Sequence, residues 1–230
     1  MDGFFEDVNF KLYPGEVLGI TGLLGSGRTE LALALYGMKP VSGGALYLKG
    51  EELRLRNVQD AIRHGISYVP EDRITEGMFL ERSIAQNITV SNVDAYCRPR
   101  GVVDGEKLRE AAAAWVKRLG IKTENPRNPI STLSGGNQQK AVLAKSLTTQ
   151  PTVLILNGPT VGVDVGAKLD ISRLIQDVAR KGVSVLLISD DSTEILTNCK
   201  RILMMKNGRI TGEYRNDDFT GGSLYQMLVN

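Results

Sequence analysis

The chain has 230 residues, a length that predicts one large domain or a domain with one inserted lobe. Its hydrophobic share of 42% and charged share of 23% are those of a globular protein, which argues against a disordered or a membrane-embedded chain. The 28 basic residues nearly balance 26 acidic ones, and a net charge of +2 gives no support to a nucleic-acid partner. Two isolated cysteines and one histidine exclude a disulfide framework or a zinc cluster and indicate a reducing compartment.

The amino end begins abruptly with acidic and aromatic residues, from Asp2 to Asp7, which suggests a fragment of a longer protein. No apolar run reaches the roughly 20 residues of a membrane span, and no signal segment precedes the first predicted strand. Val8 to Tyr13 alternates apolar and polar residues, a period that predicts a strand with one buried face. Pro14 and Gly15 then turn the chain.

Strands and helices alternate along much of the remaining chain. The short apolar run Val17 to Thr21 predicts a buried strand, and glycines separate it from a predicted helix over Glu30 to Tyr36. Later elements of the same kind are a strand at Val153 to Leu156, a helix at Val165 to Arg180 that Gly182 follows, and a strand at Val183 to Ile188. This alternation predicts an α/β fold with a parallel sheet.

The middle of the chain, Ser83 to Gln150, has no convincing strand pattern. Asp104 to Leu119 places apolar residues on one helical face, with Asp104 as the expected N-cap and Gly120 as the expected stop. The single domain therefore is expected to carry a helical lobe inserted at residues 83–150.

The glycine-rich segment GLLGSGRT, residues 22–29, lies between the predicted strand and helix, as a phosphate-binding loop does. Glycines let backbone amides converge on a phosphate at a helix amino end, and the Thr29 hydroxyl can bind magnesium. The planar head of Arg28 does not replace the compact ammonium of the lysine that such loops carry. The predicted nucleotide-binding residues are Gly22, Leu23, Gly25, Ser26, Gly27, Arg28 and Thr29. The alternative is an ordinary glycine-rich turn.

A second glycine loop, LSGGNQQK, opens the predicted helix that runs towards Thr148. An LSGGQ-like sequence downstream of a phosphate loop resembles the signature motif of the ATP-binding cassette, or ABC, ATPases. Ser134 is expected to cap this helix, whose amides can face a phosphate presented by another cassette. The resemblance assigns the motif to Leu133, Ser134, Gly135, Gly136, Asn137 and Gln138. The alternative is an ordinary capped helix.

The segment Val153 to Ala167 resembles the strand and following loop of ABC proteins that import sugars. In that family an Asp and a Glu end the strand, where they support magnesium and polarise the attacking water. This chain has Asn157, which can still contact metal-bound water, and Gly158, which supplies no functional group. Asp164 matches the acidic residue of the family's D-loop, which crosses the dimer interface.

Two further positions depart from the ABC pattern. Asp190 stands where the resemblance expects the histidine that contacts the γ-phosphate, and Glu71, in YVPEDR, stands where many ABC domains have glutamine. An acidic group at Asp190 repels a triphosphate unless a cation intervenes. Glu71 is open to two roles, contact with magnesium or contact with the transporter.

Together, GLLGSGRTE, YVPEDR, LSGGNQQK and GVDVGAK resemble the carboxyl-terminal cassette of tandem ATP-binding subunits in bacterial ribose and galactose importers. The resemblance implies a P-loop NTPase (RecA-like) core with a mainly parallel sheet, a small antiparallel β part and a helical signature subdomain. It implies ATP and Mg²⁺ as cofactors, and a companion cassette and transmembrane permease subunits as partners. A periplasmic sugar-binding protein would act indirectly, and the chain would lie peripherally on the cytoplasmic face of the inner membrane.

In that family two cassettes sandwich two ATP molecules, so this chain is expected to serve the two sites unequally. Its signature would complete the companion's site, while residues 22–29 would bind nucleotide and barely hydrolyse it. The alternatives are a hydrolytic cassette with Glu71 or another carboxylate as base, a dimer partner without nucleotide, and, more remotely, an ABC protein of ribosomes or DNA. Phe4 and Phe5 are the candidates for stacking on adenine.

Overall fold

The computed structural model describes residues 5–219 and 222–229. These residues form two compact units, each described by itself below. The first unit comprises the chain up to Tyr68, the segment Thr152–Gly158, and Ile175 onward. The second comprises Val69–Pro151 and Pro159–Leu174.

The strands are β1 (Val17–Thr21), β2 (Leu46–Leu48), β3 (Glu51–Leu53), β4 (Ile66–Val69), β5 (Cys97–Arg98), β6 (Val102–Val103), β7 (Val153–Asn157), β8 (Ser184–Ile188), β9 (Arg201–Lys206) and β10 (Arg209–Arg215). The α-helices are α1 (Arg28–Leu35), α2 (Val58–Arg63), α3 (Ile84–Thr89), α4 (Gly105–Arg118), α5 (Gly135–Leu147), α6 (Val165–Arg180), α7 (Ser192–Asn198) and α8 (Ser223–Val229). A π-helical turn, Arg73–Gly77, follows β4, and short 3₁₀ turns occupy Val90–Tyr96, Ile130–Thr132 and Asn216–Asp218.

A six-stranded sheet in the order β10-β9-β1-β8-β7-β4 forms the centre of the first unit. β1 pairs in parallel with both β8 and β9, β7 pairs in parallel with β8, and β10 adds an antiparallel edge. Every residue of β1 and β8 is buried, which explains why these strands are continuous apolar runs. Because β1, β7 and β8 are parallel, their carboxyl ends lie at one edge of the sheet, where the phosphate loop, Asn157 with Gly158, and Asp190 follow them.

The core of the first unit packs side chains from the sheet against α1 and α2. Leu18, Ile20, Ile155, Leu186 and Ile188 contribute from the strands, and Leu31 and Ala32 contribute from α1. Their near-complete burial is the main term that stabilises this unit, at about 25 cal/mol for each Å² of apolar surface removed from water.

Helices dominate the second unit, where α3 packs against α4 and α5. Ser83 caps α3 in a capping box with Gln86, and Asp104 caps α4 by accepting from the amides of Glu106 and Lys107. None of the helices among residues 5–219 and 222–229 combines the length and the apolar character that a membrane crossing requires.

The structure confirms the predicted α/β fold with a mainly parallel sheet and small antiparallel sheets. The strand over Val17 to Thr21, the helix over Val165 to Arg180 and the Asp104 cap lie where the sequence places them. The helix predicted from Glu30 starts two residues earlier, at Arg28. The boundaries 83–150 for an inserted lobe stay a prediction.

Two predictions about strands are wrong. Residues 8–13 form no strand, although Val8, Phe10 and Leu12 pack on the core as their alternation requires. The carbonyl of Lys11 accepts from the Arg201 guanidinium at 3.3 and 3.4 Å, so a side chain takes up a backbone group that a strand would pair. The stretch Ser83 to Gln150 does contain strands, since β5 and β6 form a hairpin of two residues each.

Candidate functional site

The predicted phosphate loop, residues 22–27, connects the buried strand β1 to the amino end of α1 in the first unit. Gly27 occupies the N-cap of α1 with a φ of 94°, in the left-handed region that favours glycine. No side chain caps this end, so its amides are presented by backbone alone, together with the positive end of the helix dipole. The arrangement is the strand, loop and helix that an anion site requires.

The hairpin between β9 and β10 supports the phosphate loop, a contact that the sequence did not reveal. The amide of Gly208 donates to the carbonyl of Ser26 at 2.9 Å. A β-carbon on Gly22 would lie 2.3 Å from the carbonyl oxygen of Met205, so only glycine fits there. The loop is held at both ends and its tip, Leu24, is 92% exposed.

Ser26 lies inside the loop with its hydroxyl oxygen buried and, among the described residues, without a hydrogen-bond partner. Its amide donates to the Leu23 carbonyl at 3.0 Å, which closes the loop on itself. A buried hydroxyl without a partner is unfavourable, and a ligand oxygen in the loop would relieve it. This atom and the glycine backbone fit a bound phosphate group.

Arg28 folds back over the loop. One terminal nitrogen of its guanidinium donates to the Gly22 carbonyl, and the other pairs with the Asp190 carboxylate at 3.1 Å. The Arg28 side chain is only 6% exposed, whereas that of Asp190, which follows β8, is 54% exposed. The two positions that depart from the expected lysine and histidine are therefore in direct contact, and each compensates the charge of the other.

Asn157 ends β7 and faces the first turn of α1. Its side-chain nitrogen lies 3.4 Å from the hydroxyl of Thr29 and 3.4 Å from the hydroxyl of Tyr68. The structure thus brings together the two residues predicted to serve magnesium, Thr29 and Asn157. Tyr68 is an addition to the predicted site, and its ring lies 5.3 Å from that of Tyr36.

Gly158, next in the chain, has a φ of 54° and donates its amide to the carbonyl of Ile188 at 2.8 Å. This bond fixes the backbone at the end of β7 against β8. The left-handed conformation suits glycine and penalises any residue with a β-carbon.

The predicted signature begins α5 in the second unit. Leu133 is buried and Ser134 is exposed at the N-cap position. The prediction that the Ser134 side chain caps the helix is wrong, because its hydroxyl accepts from the Asn137 side chain at 2.9 Å instead. The Asn137 side chain explains the difference. Its oxygen accepts from the Lys122 amide at 2.8 Å, and its nitrogen donates to the Ser134 hydroxyl. The first amides of α5, at Gly135 and Gly136, carry no side-chain cap.

The remaining predicted residues of the second unit are Gln138, within α5, and Asp164 and Glu71, in loops. Asp164 precedes α6 and accepts from the Ala167 amide at 2.9 Å, so it has a capping role in this chain. Gln138 donates to the Ile130 carbonyl at 3.4 Å. Glu71 follows β4 and is half-buried. Arg73, two residues further, binds two carbonyls of the loop before α6, and only its place in YVPEDR singled it out in the sequence.

Of the two aromatic candidates for adenine stacking, Phe5 is half-buried and packs against the core of the first unit. Phe4 lies outside the described residues.

The chain is similar to several import proteins of bacteria. It is 42% identical over 216 residues to the ribose import ATP-binding protein RbsA 2 of Rhizobium meliloti (strain 1021), covering 94% of this chain and 42% of that protein. It is 44% identical over 216 residues to the xylose import ATP-binding protein XylG of Brucella abortus (strain 2308), with the same two coverages. The chain thus spans less than half the length of these curated relatives.

Solved structures share the fold at low sequence identity. A nucleotide-free ATP-binding cassette from an ABC transporter matches with a TM-score of 0.82 at 20% identity, covering 99% of this chain and 89% of that one. A dimeric post-hydrolysis state of the cassette MJ0796, bound to ADP and Pi, matches with a TM-score of 0.77 at 20% identity and covers 93% and 90%. The family model described as ABC transporter matches residues 5–161, more than half of the chain. The chain therefore belongs to the ABC transporter family.

Proposed function

We propose that this chain is the ATP-binding cassette of a bacterial sugar importer that serves two ATP sites unequally. Its signature, Leu133 to Gln138, completes the site of a companion cassette, while its own phosphate loop binds nucleotide and hydrolyses it slowly. The names of the ribose and xylose import relatives support the sugar class, and the dimeric cassette structure supports a companion. The chain then lies peripherally on permease subunits at the cytoplasmic face of the inner membrane, and a periplasmic sugar-binding protein acts through that permease.

The observation that carries the proposal is the engagement of Arg28. One terminal nitrogen of its guanidinium donates to the Gly22 carbonyl and the other pairs with Asp190, so both are engaged before any phosphate arrives. In active phosphate loops a compact ammonium faces the β- and γ-phosphates at this point. An arginine held in this way leaves the developing charge of phosphoryl transfer without that cation.

The end of β7 supports slow hydrolysis independently. A positioned general base contributes roughly 10² to 10⁴ in rate, and Gly158 has no side chain to act as one. Asn157, at 2% exposure, brings an amide and no negative charge to the hydroxyl of Thr29. Both carboxylates that the reaction uses at this strand end are thus replaced by neutral residues.

The same loop fits a bound nucleotide. The uncapped amino end of α1, the amides of the glycine loop and the Ser26 hydroxyl would hold the phosphates of ATP, and Thr29 with Asn157 would hold Mg²⁺ through its water shell. The chain's own residues would bind and orient Mg·ATP, and neither Asn157 nor Gly158 offers a carboxylate to take a proton from water.

The start of α5 is built to serve a phosphate held elsewhere. Ser134 is exposed, and its hydroxyl is held in place by Asn137 at 2.9 Å without blocking the amides of Gly135 and Gly136. Lys140, further along α5, pairs with Asp170 of α6 at 2.8 Å, which fixes the helix within its unit. A helix amino end whose amides carry no side-chain cap can stabilise phosphate charge.

A pair of variants in the assembled importer tests this division of labour. Ser134→Arg places a bulky cation at the signature and is expected to lower ATP turnover about 100-fold, as loss of a charge-stabilising donor does. Thr29→Ala alters only the slow site and is expected to keep turnover within about threefold of the wild type. The proposal is overturned if Thr29→Ala abolishes turnover while Ser134→Arg leaves it intact.

Glu71→Gln distinguishes the proposal from a cassette that hydrolyses ATP with a substitute base. Glu76, an exposed glutamate of the nearby π-helical turn, provides the matched control as Glu76→Gln. Equal turnover in the two variants supports a site without its own base. A loss of more than about 100-fold in Glu71→Gln alone assigns the base to Glu71.

A further inference from the structure

Arg73, in the π-helical turn, lies against two other segments of the second unit, the loop before α6 and the start of the signature helix. Its two terminal nitrogens donate to the carbonyl oxygens of Val161 and Gly162, at 2.8 and 3.1 Å. These carbonyls belong to the loop 159–164, which leads through Asp164 into α6. The planar guanidinium reads two successive carbonyls at once, a geometry that a lysine cannot reproduce.

The same guanidinium lies against the start of the signature helix. A β-carbon on Gly135 would be 2.9 Å from the terminal nitrogen that binds Gly162. The remaining nitrogen of Arg73, Nε, is buried without a hydrogen-bond partner among the described residues. Within those residues no ion pair joins Arg73 to an acidic side chain, and its hydrogen bonds go to the two loop carbonyls.

The turn that carries Arg73 is held in place by its own hydrogen bonds and by α5. Asp72 accepts from the amides of Ile74 and Thr75 and from the Thr75 hydroxyl, which orders the turn that carries Arg73. Lys145 of α5 donates to the carbonyl of Gly77, at the end of the same turn.

The loop 159–164 is fixed at its far end by α6. A β-carbon on Gly136 would be 2.4 Å from that of Ala167, so the first turns of α5 and α6 touch without any spare space. Lys140 and Asp170 tie the same two helices one turn further on. The hydrogen bonds from Arg73 to Val161 and Gly162 therefore connect the π-helical turn to a loop that already lies against α5.

We propose that Arg73 is a positioning residue that fixes the loop 159–164 against the signature helix, so that Asp164 and Ser134 reach the companion cassette as one rigid surface. The inference rests on the proposed function, because it concerns the surface that completes the companion's site. Without Arg73 the loop is less restrained. The position of Asp164 relative to Ser134 then varies in the closed, reacting state. The loss of Arg73 removes no group that binds nucleotide in the ground state.

The test compares Arg73→Ala and Arg73→Lys with the wild-type importer, and Arg109→Ala is the control because Arg109 is an exposed arginine of α4 in the same unit. We expect Arg73→Ala to lower kcat about 10-fold with KM for ATP changed less than about twofold. Arg73→Lys keeps the charge and a single donor nitrogen, which can bind one of the two carbonyls, and is expected to recover part of kcat. A role limited to stability would lower the yield or the melting temperature and leave kcat per folded complex unchanged.

Hydrogen exchange in the same importer tests whether the contact of Arg73 with Val161 and Gly162 orders the loop. Deuterium uptake over residues 161–168 is expected to rise in Arg73→Ala, and uptake over α4 to stay unchanged. Unchanged uptake over 161–168, or a kcat equal to that of Arg109→Ala, overturns the inference. If Arg73→Ala fails to assemble, the exchange and kcat of Arg73→Lys decide in the same way.

The two proposals fail in distinguishable ways. Full turnover in Ser134→Arg overturns the proposed function, and the exchange of residues 161–168 then decides alone whether Arg73 holds the loop. Loss of turnover in Ser134→Arg with unaltered exchange in Arg73→Ala overturns only the role of Arg73.

Discussion

At the scale of single residues, the contact between Arg28 and Asp190 changes how the phosphate loop is understood. Each residue alone is unfavourable there, since a bulky guanidinium crowds the loop and a carboxylate repels a triphosphate. Together they form an ion pair of 3.1 Å that also anchors Arg28 near the Gly22 carbonyl. We expect a nucleotide in the loop to compete with Asp190 for the Arg28 guanidinium.

Removal of the Asp190 charge is therefore expected to tighten nucleotide binding. In Asp190→Asn, Arg28 loses its ion-pair partner and the repulsion of the phosphates falls. We expect the Kd of this chain for Mg·ATP to decrease about 3- to 10-fold, a modest change because the carboxylate is half exposed to water. Titration calorimetry measures it, with Asp217→Asn as the exposed-aspartate control. Equal or weaker binding in Asp190→Asn would show that the pair does not compete with phosphate.

Gly158 carries a second prediction at this scale. Because its φ is 54°, Gly158→Ala is expected to lower the free energy of unfolding by about 1 kcal/mol. Gly43→Ala is the matched control, since Gly43 has no positive φ and a β-carbon there meets nothing within 4 Å. Urea unfolding of the two variants compares them, and a Gly158→Ala protein as stable as Gly43→Ala contradicts the prediction.

At the scale of the elements, local signals predicted what local physics determines. The buried run of β1 and the Asp104 cap of α4 needed only apolar character and a capping side chain, and both were found. The strand predicted over residues 8–13 was wrong, because a strand also needs a neighbouring strand to pair with. Arg201, far away in the sequence, binds the Lys11 carbonyl, a contact that alternation cannot reveal.

The amino end of α4 gives a prediction on pH. The hydrogen bond from Arg98, with the amides of Lys107 and Glu106, lowers the pKa of Asp104 to about 2. The unfolded value is near 4, so Asp104 stabilises the fold above about pH 4 and this contribution is lost as pH falls towards 2.

Asp104→Asn keeps an oxygen for capping and loses the ion pair with Arg98. We expect it to melt below the wild type at pH 6, and the difference to narrow between pH 4 and pH 2. Thermal unfolding followed by circular dichroism measures both curves. Asp94→Asn, a change at an exposed aspartate of the same unit, is the control. A difference that is constant from pH 6 to pH 2 would contradict the assignment.

At the scale of the whole molecule, the motifs of the site were readable from the sequence and their contacts were not. Short segments around Gly22, Ser134 and Asn157 carry recognisable spacing, because phosphate loops and helix starts are local structures. The pairing of Arg28 with Asp190 and the bonds from Arg73 join residues distant in the chain. The sequence does not reveal these contacts, because only the folded chain brings the residues together.

A single-turnover measurement separates the two ATP sites of the importer, which we propose hydrolyse ATP at different rates. The assembled importer is loaded with ATP at both sites and quenched at increasing times. We predict that about half of the bound ATP is hydrolysed in a fast phase, while the rest, held at residues 22–29, reacts roughly 100-fold more slowly or is released intact. Hydrolysis of all bound ATP in one phase at one rate would contradict the account.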